Sequence, residues 1–274
     1  MGRLRLAILD LYNDIPNQGM RCIRQIVEGF ADTLDYDVFD VRVDGTVPDL
    51  SYDIYLSSGG PGDPRSGAGH EGWEANWNGW LDTVYEYNRT AGRKKWVFFI
   101  CHSFQMAVHH FRLAEVVPRK GISFGTFPVH LAPGGKEDVL FTDLEDPFWA
   151  ADFRRYQAIQ PDAERMEAVG AHILALEKIR PHVELERAIM AVRWSPEMVG
   201  VQFHPEADAE GMLEHFSRPD IKQEVIADHG RTKWLQIMED LSHPERIGKT
   251  HDAVLPAFLG RAIAAITEEK PVTL

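Results

Sequence analysis

The run Trp96-Val97-Phe98-Phe99-Ile100 constrains this chain more than any other segment, because large apolar residues follow one another there without polar alternation. A strand with one wet face alternates apolar and polar side chains. A continuous run belongs instead to a strand buried on both faces, as in parallel sheets covered by helices on each side. The β-rich segment spans residues 95–100, and residues 103–111 then take up a helical pattern. Residues 4–11 form another compact apolar run, after which Asn17 can cap a segment with helical spacing through Ile23, Ile26, Val27 and Phe30. Residues 36–43 and 52–57 read as two more strands bounded by Asp, Gly or Pro, and a Gly/Pro-rich loop over 59–72 leads into a helix over 73–90. This βαβ-like alternation predicts an α/β fold with a doubly wound, mostly parallel sheet, whose chemistry lies beyond the carboxyl ends of its strands.

Further along, the pattern changes. Residues 122–140 are strand-rich and broken by Pro133-Gly134-Gly135, which predicts antiparallel additions to the sheet. Short strands are expected over 171–176, 189–194 and 198–203. After Phe216, residues 221–227, 234–241 and 254–266 carry helical periodicity without β-rich runs. The expected organisation is an α/β domain over 1–216 with a helical C-terminal appendage over 217–274 packed on it.

Net charge and cysteine usage narrow the function classes. A formal charge of −13 repels phosphate backbones and anionic membranes, so nucleic acid is not an expected partner. No apolar run approaches the roughly 20 residues that cross a bilayer, and the start Met1-Gly2-Arg3-Leu4-Arg5-Leu6 lacks the features of a signal peptide. Cys22 and Cys101 are the only cysteines, a usage that suits a reducing cytoplasm rather than a disulfide framework. Cys22 reads as a small buried side chain within a helix. Arg93-Lys94-Lys95 reads as a solvated turn. His109-His110 and the remaining histidines lack zinc-type spacing, so no metal site is expected.

Three segments end strands and carry chemistry. Cys101 follows its apolar strand and precedes a helix, where the positive helix terminus favours thiolate and the next backbone N–H can face a developing oxyanion. Ser58-Gly59-Gly60-Pro61-Gly62-Asp63-Pro64 follows another strand, and glycines there let N–H groups approach a ligand closely. Val199-Gly200-Val201-Gln202-Phe203-His204-Pro205-Glu206 ends a third strand; in extended chain, residues two apart share a side, so Glu206 can fix the tautomer of His204. His243-Pro244-Glu245 repeats the triplet, but after a helical pattern, where it reads as a helix terminator.

In this order and at these separations, the three segments resemble the class I (triad-type) glutamine amidotransferases, most closely their free-standing GMP-synthase-like members, over roughly residues 4–216. The resemblance implies a flavodoxin-like sheet and makes Cys101 the nucleophile, His204 the general base and then acid, and Glu206 its orienting partner. It places the oxyanion donors at the backbone N–H groups of Gly60 and His102, a substrate-contacting amide at Gln105, and Gly62 in the same pocket. It implies a γ-glutamyl thioester route with neither metal nor cofactor. Two departures from the family's pattern stand out: Phe99 and Ser103 stand where glycines usually flank the cysteine at two residues' distance, and Arg155-Tyr156-Gln157-Ala158-Ile159-Gln160 carries no histidine where the family often has a substrate loop.

The resemblance leaves three readings: an amidotransferase that hydrolyses the glutamine amide and passes ammonia to a separate synthetase, a self-sufficient hydrolase of γ-glutamyl amides or peptides, and a catalytically silent interaction module. The filled triad positions weigh against the last, and the chain carries no nucleotide-binding P-loop pattern of its own. Trp73, Trp77, Trp80, Val84 and Tyr87 form one stripe of a helix, expected to pack in the core, with a partner-docking face as the alternative.

Overall fold

The computed structural model describes residues 2–15, 17–65, 72–179, 186–243 and 245–268. Among these, the strands are β1 (Leu4–Asp10), β2 (Leu34–Asp40), β3 (Ile54–Ser57), β4 (Trp96–Ile100), β5 (Ala114–Leu131), β6 (Phe148–Pro161), β7 (His172–Glu177), β8 (Ile189–Ser195) and β9 (Met198–Val201). They form one sheet in the order β2-β1-β3-β4-β9-β8-β7-β5-β6. The pairs β1–β2, β1–β3, β3–β4 and β4–β9 are parallel. From β9 onward through β8, β7, β5 and β6 every pairing is antiparallel. The doubly wound sheet with antiparallel additions is therefore present.

The helices are α1 (Gln18–Glu28), α2 (Val41–Asp44), α3 (Gly72–Thr90), α4 (His102–His110), α5 (Pro133–Lys136), α6 (Ala163–Val169), α7 (Ala209–Ser217), α8 (Pro219–His229), α9 (Arg231–Leu241) and α10 (Ile247–Glu268). Asn17 caps α1 by accepting from the backbone N–H of Met20. Strand β4 shows why its sequence admits no polar alternation. Trp96, Phe98 and Ile100 pack on one side with Ile23 and Val27 of α1 and Leu255, Phe258 and Leu259 of α10. Val97 and Phe99 pack on the other with Trp77, Trp80 and Leu81 of α3 and Phe104 and Val108 of α4. Each large side chain fully buried in this way contributes about 1.5–3 kcal/mol relative to exposure. The aromatic stripe of α3 is mostly core: Trp73, Trp77, Trp80 and Val84 are buried, and Tyr87 at its end is half-buried. A third cluster joins α7, α8 and α9 to Ala151, with Phe124 and Phe153 of the antiparallel strands packed against it.

Several boundaries differ from the sequence reading. Strand β2 stops at Asp40, whose carboxylate accepts from the Val43 N–H and starts the short helix α2, which ends at Gly45 with φ +64°. The long strand β6 was not expected. Its inward positions include Asp152 and Arg154, which are buried in a charge network with Arg119 and Glu177. Paired charges at core positions erase the apolar alternation by which a strand is recognised. Residues 155–160, matched by resemblance to a substrate loop, lie within β6.

Candidate active site

Cys101 sits at the tight turn between β4 and α4 with φ 49° and ψ −96°, a left-handed conformation that costs a non-glycine residue about 1–3 kcal/mol. The turn is pinned from several sides. The Cys101 N–H donates to the Val201 carbonyl at 2.8 Å, and the Gln105 N–H donates to the Cys101 carbonyl at 3.0 Å. Ser103 Oγ accepts from the Ile100 N–H at 2.9 Å and lies 2.7 Å from the Ser57 carbonyl, to which it donates. In the glycine position, then, stands a hydroxyl that ties β4 to β3. Phe99 is accommodated by its neighbour on β9: it pairs with Gly200, where an added Cβ would lie 2.9 Å from that of Phe99.

His204 and Glu206 follow β9. The His204 N–H donates to the Ala151 carbonyl at 2.8 Å, which aligns this segment with β6. His204 Nδ1 lies 2.7 Å from Glu206 Oε1, with the Glu206 side chain fully buried. Burial lowers the basicity of His204, but the charges of Glu206 and Cys101 and hydrogen bonds to both hold its pKa well above the ordinary value. The second His-Pro-Glu triplet is different. His243 Nδ1 is 3.4 Å from Glu245 Oε1, and their side chains are 46% and 60% exposed after α9, with Pro244 outside the described residues.

The glycine segment reaches the same sheet edge. An added Cβ at Gly60 would lie 2.4 Å from the Leu11 carbonyl oxygen, so only glycine fits. Gly62 adopts φ +105°. Arg42, carried by α2, spans the two loops: it donates to the Pro61 carbonyl at 2.5 Å and to His102 Nε2 at 3.0 Å, with its guanidinium 4.4 Å from the Trp73 ring centre. Burial, with the Arg42 charge beside it, lowers the pKa of His102 to about 3. The imidazole is thus neutral, and Nε2 is an acceptor because arginine only donates.

Cys101, His204, Glu206 and Gly60 line a common cavity of about 800 Å³. His102, Gly62 and Gln105 do not line it. The Gln105 amide donates to the Tyr156 carbonyl at 3.0 Å and to Gln202 Oε1 at 2.8 Å, while Gln202 Nε2 lies 3.7 Å from Cys101 Sγ. Two residues beside the thiol were missed in the sequence: Gln202 and Tyr12. An added Cβ at Gly59 would lie 2.8 Å from Tyr12 Oη and 3.0 Å from His204 Cε1. Burial, then the nearby Glu206 and Cys101, push the Tyr12 phenol well above its ordinary pKa. The position of Tyr12 just past β1, at the edge where the other strand-end motifs meet, was the available signal. Cys22 also lines the cavity, with its thiol donating to Asp208 Oδ2 at 3.0 Å; burial, reinforced by that carboxylate, pushes it up to about 12.

A family model described as glutamine amidotransferase class-I matches residues 23–218. The chain belongs to that family. Among solved structures, a glutamine amidotransferase from Methylobacillus flagellatus aligns with a TM-score of 0.68 at 15% identity, over 99% of this chain and 98% of that one. A glutamine amidotransferase from Thermotoga maritima aligns at 0.66 and 16% identity, over 96% of this chain and 99% of that one. The glutaminase domain of a Trypanosoma brucei CTPS, with bound acivicin, aligns at 0.56 and 15% identity, over 98% of this chain and 96% of that one. At these identities the likeness is one of fold. A search of curated proteins returned no match. Among the described residues no helix of this class I glutamine amidotransferase is long and apolar enough to cross a membrane.

Proposed function

We propose that this chain hydrolyses a γ-glutamyl carboxamide through Cys101, His204 and Glu206. The observation that carries the reading is the convergence, on one cavity, of a cysteine in a strained strand-to-helix turn with a buried His204–Glu206 pair. Cys101 gives its proton to His204, and the sulfur attacks the γ-carbonyl carbon. The backbone N–H groups of Gly60 and His102 receive the oxyanion, with Arg42 holding their two loops together. The C–N bond breaks as the nitrogen takes a proton from His204. Water, deprotonated by His204, then attacks the thioester, releasing glutamate and restoring the thiol. Glu206 fixes the imidazole and stabilises its charged form throughout.

When the substrate is glutamine the nitrogen leaves as ammonia, and a separate synthetase is its consumer; family membership supports that destination. The paired His-Pro-Glu copies supply the test. His204→Ala lowers nitrogen release by about 10²–10⁴-fold, whereas His243→Ala leaves it unchanged. Equal effects of the two substitutions would overturn the assignment.

A further inference from the structure

The cavity is far larger than a free amino acid requires. Its volume of about 800 Å³ lies in the range of roughly 300–1,000 Å³ typical of pockets that bury drug-sized ligands. A large part of its wall beyond the triad is apolar and is built by α7, α8 and the antiparallel strands, through Phe124, Phe153, Met212, Phe216, Ile221 and Val225. This wall begins at the reacting groups themselves. The Phe153 ring centre is 6.0 Å from that of His204, and Phe124 meets Phe153 at 5.1 Å and Phe216 at 5.6 Å. Aromatic surface therefore runs unbroken from the histidine that protonates the leaving nitrogen into the body of the cavity. Ammonia has no use for such a surface, but an apolar group attached to the nitrogen does.

Charge on the same wall restricts that group further. Glu224 and Asp228, four residues apart on α8, line the cavity. The arginines there are already committed, Arg21 to Asp208 and Arg218 to Asp220. His215, the histidine next to Phe216, has its pKa lowered by burial and by Arg218. His229 stacks flat on Phe124 with ring centres 4.5 Å apart. A carboxylate on the leaving amine would meet two acids and no uncommitted arginine. A cation would meet the same two acids only where they are exposed and screened by solvent, and would lose hydration against the apolar wall.

We infer that the physiological substrate class is the secondary γ-glutamyl amide of a neutral, aromatic or branched apolar amine, whose substituent lies against α7 and α8. This rests on the hydrolytic reading of Cys101, His204 and Glu206 given above. The overall step is γ-glutamyl-NHR plus water giving glutamate and the free amine RNH₂. The C–N bond breaks, the amine leaves with the proton from His204, and no oxidant or further reactant is needed.

The test is a panel of substrates offered to the purified chain, with glutamate release followed by mass spectrometry: glutamine, γ-glutamyl-methylamide, γ-glutamyl-benzylamide, the γ-glutamyl amide of 1,4-diaminobutane, and γ-glutamyl-phenylalanine. A single methylene in an apolar pocket is worth roughly 10–200-fold in kcat/KM, so the benzylamide is expected to exceed glutamine by about 100-fold or more. It is also expected to exceed γ-glutamyl-phenylalanine, which adds a carboxylate together with one more methylene of apolar surface, and the diamine conjugate. Ile221→Asp should lower the benzylamide-to-glutamine ratio by about tenfold or more, and Ile221→Leu should restore it. A preference for glutamine, for the diamine conjugate or for the dipeptide overturns the inference while leaving the triad reading standing. Cleavage of none of the five, or cleavage that survives Cys101→Ala, overturns the triad reading itself.

Discussion

His102 turns acidity into instability in a way that can be measured. Its side chain is 3% exposed, its Nε2 accepts from Arg42, and its pKa lies at about 3 against an ordinary 6.5. The sign follows from proton uptake. Below pH 6.5 the unfolded chain binds a proton at this residue and the native chain does not, so stability falls with falling pH. The loss ends near pH 3, where the native imidazole also protonates. Each pH unit in that window removes about 1.4 kcal/mol, and the whole window about 5 kcal/mol, comparable to the total stability of a marginal domain. His102→Gln keeps an acceptor for Arg42 and abolishes the titration. Urea unfolding of both proteins at about pH 7, 5 and 4 should give free energies whose difference changes by about 2 kcal/mol between pH 7 and 5 and by about 1 kcal/mol more between pH 5 and 4, the wild type losing more. Parallel pH dependences would refute the claim that a neutral His102 is locked between Arg42 and the turn.

Two further outcomes follow from the geometry. Iodoacetamide should modify Cys101, at the helix terminus in the cavity, much faster than Cys22, whose thiol is pushed up to about 12; peptide mapping reads the ratio, and equal labelling contradicts it. Gly200→Ala places a Cβ 2.9 Å from that of Phe99 and 3.1 Å from Phe104 Cδ2, so unfolding midpoints should show a loss of about 1–3 kcal/mol, and no loss would mean that Phe99 does not depend on this gap.

Most of the parallel half of the sheet was legible because its strands obey the simple rule of two buried faces. Trp96 to Ile100 is the plainest case, and the cap at Asn17 marks the start of α1. The antiparallel half was less legible. In β6, Asp152 and Arg154 occupy buried positions as an ion pair, and no local pattern distinguishes such a pair from a solvated loop. At the site, the three strand-end segments were visible because each puts its chemistry immediately after an apolar run. Arg42, Tyr12 and Gln202 were not assigned roles, since their contacts with His102, Gly59 and Cys101 join loops far apart in the chain. The role of Gly200 in admitting Phe99 is likewise a cross-strand relation, set by register and not by sequence spacing.

The central claim is that the Cys101 sulfur becomes covalently joined to the γ-glutamyl group during turnover. Acid quenching of the chain while it hydrolyses a γ-glutamyl amide, followed by peptide mass mapping, tests it most directly. The account predicts a γ-glutamyl adduct on the peptide that contains Cys101, absent from the Cys22 peptide and lost together with activity in Cys101→Ala. Undiminished glutamate release by Cys101→Ala, or an adduct on another residue that forms and decays at the rate of turnover, would contradict it.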